Sequence, residues 1–139
     1  MIELENNTSL NIDEDLLNKI ASSLTDKEIE LIITSDEDIK ELNYKHRAID
    51  KSTDVLSFPY EDMPMAPLGS IVISDSHVIQ KAKELGHTED NELALLFIHG
   101  LLHLLGYDHE VDNGEMRQEE KNIIEKFSLP KSLIIRTQG

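Results

Sequence analysis

Half of the chain's six histidines fall inside one short segment, Phe97-Ile98-His99-Gly100-Leu101-Leu102-His103-Leu104-Leu105-Gly106-Tyr107-Asp108-His109. His99 and His103 are four residues apart, so on a helix both imidazoles project from one face, with Cβ atoms roughly 5–6 Å apart. Nitrogens at that separation can converge on one zinc ion at about 2.0–2.1 Å each. A third ligand from the next helical turn would lie along the axis rather than around the ion, so the chain has to leave the helix after His103. Gly106 provides the exit, because glycine accepts the left-handed conformation that ends helices. The bend brings His109 back toward the same ion. Three protein ligands, His99, His103 and His109, leave one position open for water, the layout of catalytic rather than structural zinc. Water held there ionises with a pKa of about 7. One zinc per chain is expected.

A lone histidine on an apolar face is more often a core or surface residue with a hydrogen-bond partner. Three histidines sharing a helix-then-glycine pattern fit metal geometry better than core packing, and two of them on a greasy helix without partners would carry a desolvation cost. The spacing H-x-x-x-H-x-x-G-x-x-H is that of metzincin proteases, but the glutamate that follows their first histidine is absent. Gly100 stands there and has no side chain to act as a base.

A second cluster lies upstream, between Asn43 and Pro59. Lys45, Arg47 and Lys51 outnumber Asp50 and Asp54 there, in an otherwise acidic chain. Arg47 has two readings. Its planar fork could hold a phosphate, or it could cap helix carbonyls or pair with Asp50 or Asp54. Asp108 is either a hydrogen-bond partner for a ligand imidazole or a turn residue, and Tyr107 either stacks on a base or packs. His46, His77 and His87 show no ligand spacing and read as ordinary surface or loop residues.

The elements that must position these side chains follow from periodicity. Ile2 to Glu5 reads as a short strand. Asp13 to Leu24 has helical spacing at Leu16, Leu17, Ile20, Ala21 and Leu24, with acids at its start. Glu28 to Thr34 is a strand, and Ser35 caps a helix over Asp36 to His46. Val55 to Tyr60 is a strand that Pro59 places at an end or an edge. Glu61 to Pro67 is a loop, Leu68 to Ser74 is a buried strand, and Asp75 or Ser76 caps a helix stopped by Gly86. Glu89 to Leu105 is the longest helical pattern, and Asn113 to Phe127 is a final amphipathic helix. The fold class expected is α/β (α+β), a small mixed sheet of about four strands packed with about five helices.

With 139 residues, one domain over 1–139 is expected. Hydrophobic residues make up 39% and charged residues 29%, and there is no cysteine, which excludes disulfide scaffolds, thiol catalysis and cysteine zinc modules. The first residues, Met1-Ile2-Glu3-Leu4-Glu5, have neither a basic nor an apolar leader region. The greasiest stretch, Leu93 to Gly106, is too short to span a bilayer. A cytoplasmic protein without membrane association is therefore expected. The formal net charge of −15 argues against broad electrostatic adhesion to nucleic acid, so a nucleic-acid enzyme of this composition needs a local basic patch, divalent ions or a partner.

Taken together, the two segments resemble the YbeY family of bacterial endoribonucleases. The family's H-G-x-L-H-L-x-G-Y-D-H signature is matched by His99 to His109. Its Arg-x-x-Asp and Thr-Asp/Asn-Val-Leu-Ser-Phe-Pro block is matched by Arg47, Asp50 and Thr53 to Pro59. Its Leu-Gly-Asp-Ile-x-Ile-Ser strand is matched by Leu68 to Ser74, except that Ser70 replaces the usual Asp. The resemblance runs from about residue 30 to 127. It implies a small α/β fold with a three-histidine zinc site at His99, His103 and His109, and a cleft in which Arg47 is the functionally important cation. It also implies cleavage of single-stranded RNA, in maturation of ribosomal RNA (notably the small-subunit 3′ end) and in ribosome quality control, with ribosomal or assembly proteins as partners. Two other readings stand beside it: a non-catalytic ribosome-assembly factor with a structural metal, and a zinc peptidase-like hydrolase.

Overall fold

The structure is a computed structural model that describes residues 2–61, 63, 65–107 and 114–129. The expected third ligand, His109, and its neighbour Asp108 lie outside the described residues. Among the described residues nine elements follow one another: β1 (Ile2–Asn6), α1 (Glu14–Leu24), β2 (Ile29–Thr34), α2 (Asp36–Arg47), β3 (Val55–Pro59), β4 (Gly69–Ser74), α3 (Asp75–Leu85), α4 (Glu89–Leu104) and α5 (Glu115–Lys126).

The strands form one sheet in the order β1-β2-β4-β3. β1, β2 and β4 are parallel, and β3 runs antiparallel to β4 with Val55 opposite Ile73 and Pro59 opposite Gly69. The sheet is thus mixed, as expected. β3 is an edge strand with its proline at the end, where the missing N–H does least harm. Successive side chains alternate between faces. Leu31, Ile33, Ile71 and Ile73 join the main core, which α1, α4 and α5 complete with residues such as Ile20, Phe97, Leu101 and Ile123. Val72 and Leu56 point the other way and meet Ile39 of α2 in a smaller cluster.

Local capping explains where the helices start. Asp13 accepts from the backbone N–H of Leu16, Ser35 from Asp38 and Thr88 from Asn91, each occupying an orphan donor of a first turn. α3 differs from expectation: Ser74, the last residue of β4, is its cap rather than Asp75 or Ser76. The strand therefore passes into the helix without a loop. α2 runs one residue beyond the expected end, to Arg47, and closes through Ala48 in the left-handed region (φ 56°). α4 is apolar on nearly every side, the pattern of a helix buried all round. It packs against β3, β4, α1, α3 and α5. That central position fixes the histidines at its C-terminal end.

Candidate metal centre

His99 and His103 occupy the last turns of α4. Their spacing brings the rings together as expected, with centroids 4.7 Å apart and planes at 77°. The two Nε2 atoms lie 3.2 Å from each other. A tetrahedral ion with bonds of about 2.0–2.1 Å needs nitrogens about 3.3 Å apart, so the pair fits two corners of such a site. The helix stops at Leu104, and Gly106 adopts φ 102°. The expected bend is present, and Tyr107 N–H turns back to donate to the Leu102 carbonyl at 3.0 Å. Among the described residues no set of three metal-ligating side chains converges. The expected third member, His109, is not among them.

The sequence reading missed Glu120. Its carboxylate is 1% exposed and approaches His99 Nδ1 at 3.1 Å from α5. A signal existed: Glu120 falls at helical spacing with Met116, Ile123 and Ile124, the buried face of α5. An acid on an apolar stripe needs a partner, and the imidazole supplies one.

The histidines open onto a cleft of about 820 Å³, walled by the end of α2, the residues from Thr53 to Pro59, and the turn after α4. Arg47 and His46 come from α2, Asp54 and Phe58 from the β3 side, and Tyr107 from beyond the glycine. Arg47 thus faces the same space as His99 and His103, although 52 positions separate it from His99 in the chain. It forms no salt bridge with any described residue. Asp50 is paired with Lys40 at 3.8 Å, and Asp54 accepts from Thr53 at 3.3 Å. Its place on the cleft wall is compatible with holding a phosphate, and pairing with Asp50 or Asp54 is not seen. His46 is exposed, as expected of a surface residue, and its ring sits 5.0 Å from that of Phe58 on the cleft wall. Tyr107 both lines the cleft and packs on the core. Gly100, one residue past the first histidine, faces the sheet. A Cβ there would lie 2.9 Å from Ile71 Cγ2 and 3.2 Å from Ser57 Oγ. The position of the peptidase glutamate is therefore taken up by close helix–sheet approach, and Ser57 donates to the Gly100 carbonyl at 3.1 Å.

A model of the YbeY family, described as Endoribonuclease YbeY, matches residues 2–128. The chain belongs to the YbeY endoribonuclease family. It is 63% identical to an Endoribonuclease YbeY of Sulfurimonas denitrificans, with all of both chains covered. It is 55% identical to one of Helicobacter pylori, with 99% of each covered. A solution structure of a Thermotoga maritima protein shares the fold at TM-score 0.62 and 31% identity, covering 91% of this chain and 89% of that one. The YbeY match begins at β1, well before residue 30, where the motif resemblance starts.

The YbeY motifs fall on neighbouring elements around one cleft: the arginine at the end of α2, the Thr53–Pro59 block entering and forming β3, and the histidine signature leaving α4. Ser70, the departure from the motif that the resemblance rests on, lies on the sheet face opposite α4. There its hydroxyl lies 3.0 Å from Glu30 and within hydrogen-bond reach of the Tyr60 hydroxyl, which lies 2.8 Å from the same carboxylate, so the three groups share two protons. A carboxylate is thus present at this point of the sheet, carried by β2. The Ser70 bond pulls the Tyr60 hydroxyl down, but the bond to Glu30, burial and the Glu30 charge outweigh it and hold the group above its ordinary value. The other two histidines depart from the surface reading. His77 Nδ1 lies 2.8 Å from Asp36 and 3.2 Å from Ser74 Oγ. The His87 side chain is 3% exposed, and its Nε2 lies 3.1 Å from the buried Glu92.

Proposed function

We propose that this chain cleaves single-stranded RNA as a zinc-dependent endoribonuclease of the cytoplasm, with His99, His103 and His109 holding one zinc and Arg47 binding the phosphate. Its substrate is ribosomal RNA, notably the 3′ end of the small-subunit RNA, and ribosome quality control is its wider setting. The observation that carries this reading is the pair of imidazole nitrogens 3.2 Å apart in the same cleft as Arg47.

When bound, zinc supplies Lewis acidity, polarising a phosphoryl oxygen and making water acidic enough to serve as nucleophile near neutral pH. The chain's own residues do the rest. His99 and His103 present ring nitrogens from one rigid, buried helix, so the site needs little reorganisation. Arg47 offers a two-pronged donor to the non-bridging phosphate oxygens and stabilises the charge that grows on them. Phe58, His46 and Tyr107 give the cleft aromatic walls, against which an unpaired base can lie. The net charge of −15 confines RNA attraction to this locality and leaves delivery of the RNA to ribosomal or assembly proteins. Among the described residues no helix is long and apolar enough to cross a membrane.

The test is cleavage of a single-stranded RNA by purified, zinc-loaded protein, alongside metal analysis. About one zinc per chain and cleavage abolished by chelation are expected. Zinc retained without cleavage would favour the assembly-factor reading, and peptide cleavage without RNA cleavage the peptidase one.

A further inference from the structure

Glu120 is a buried acid on a face that otherwise buries Met116, Ile123 and Ile124. A leucine would suit the core there better, because a carboxylate loses hydration and recovers it only through a well-placed partner. A partner in reach is His99, at 3.1 Å through Nδ1. A neutral imidazole has one N–H and one lone pair, while a carboxylate only accepts. The contact therefore requires the proton of His99 on Nδ1. The opposite tautomer would press a lone pair against the carboxylate and aim an N–H at His103.

We propose that Glu120 is a positioning residue for the metal centre, fixing the His99 proton on Nδ1 so that the Nε2 lone pair faces His103 Nε2. This rests on the reading of His99 and His103 as zinc ligands.

Carboxylate partners of ligand imidazoles are worth about 10–100-fold in metal affinity. In the full chain, Glu120→Ala is expected to weaken zinc binding by about that factor in competition with a chelator. Glu120→Gln, of the same shape and still able to accept through its amide oxygen, is expected to fall between Ala and the native residue. In metal-free protein with 15N-labelled histidine, long-range 1H–15N correlations should show His99 protonated on Nδ1, and Glu120→Ala should shift it toward the other tautomer. A purely structural role would lower the unfolding midpoint and move neither tautomer nor affinity. The proposal is overturned if native His99 carries its proton on Nε2, or if the folded Gln variant and the folded Ala variant both bind zinc as the native chain does. The tautomer is read without metal or RNA. Native protein that bound no zinc would overturn the metal reading, while the ring proton would still decide for or against Glu120.

Discussion

Helix α4 has a histidine–glutamate pair beside each end, and the two are used differently. Before its first turn, His87 Nε2 meets Glu92 at 3.1 Å, with side chains 3% and 0% exposed. Near its last turn, His99 Nδ1 meets Glu120 at the same distance, but the histidine side chain is 30% exposed. At the first pair the carboxylate engages the outer ring nitrogen, and the bond is sealed inside the protein beside the turn joining α3 to α4. At the second it engages the inner nitrogen and leaves Nε2 facing His103 at the cleft. One bond closes a turn, and the other aims a ring. The nitrogen used and the exposure of the ring separate structure from chemistry here, not the residue types.

The comparison is sharpened most by His103→Ala. It should remove zinc and reduce cleavage to background, while the unfolding midpoint of the metal-free protein changes little, because the ring is half-buried at a helix end. Metal analysis, an RNA cleavage assay and a metal-free melt read the three quantities. Tight zinc binding by this variant would remove His103 from the ligand set. Arg47→Ala comes next. Loss of one charge-stabilising donor costs about 10²–10³ in turnover, with zinc content unchanged, since Arg47 approaches from α2 rather than from α4, which carries the proposed ligands. Full turnover in this variant would return Arg47 to a capping role.

Glu92→Ala tests the sealed pair. It removes a buried carboxylate contact of the imidazole, which costs about 1–3 kcal/mol, and urea unfolding of the metal-free chain should register it. Zinc affinity should not move, because Glu92 lies at the opposite end of α4 from His103. A fall in zinc affinity without a fall in stability would erase the distinction between the two pairs.

How much of this was legible in the sequence varies with the range of the interaction. His99, His103 and Gly106 are written in local spacing, so the helix, its stop and the facing rings could be read directly. The strands showed as short apolar runs, and the cap at Ser35 was readable because a cap acts within three residues, whereas Asp13, read as the first helical residue, proves to be the cap of α1. Pairing between distant segments was not readable. Nothing near His46 announces Phe58, and nothing near His77 announces Asp36, 41 positions away. Glu120 shows only as an acid on an apolar stripe, 21 positions from the ring it serves. Arg47 was left between two readings for the same reason. Only the return of the Thr53–Pro59 block along β4 decides which space its helix end faces.

Gly100 offers the finest cut between structure and chemistry, because it lies beside a proposed ligand yet faces the other way. Alanine there would gain about 1 kcal/mol of intrinsic helix preference. Its Cβ would also press on Ile71 Cγ2 at 2.9 Å and Val55 Cγ2 at 3.3 Å. Both are branched at Cβ and stiff, and Ile71 is fully buried, so neither yields cheaply, and overpacking of this kind costs about 1–3 kcal/mol. The overpacking outweighs the gain, and Gly100→Ala should lose about 1 kcal/mol net in urea unfolding. Zinc affinity should be nearly unchanged, since α4 would move away from β3 and β4 as a body and carry both histidines together. A gain in stability would mean that the helix sits farther from the sheet than these distances show. The glycine would then need another explanation than close approach.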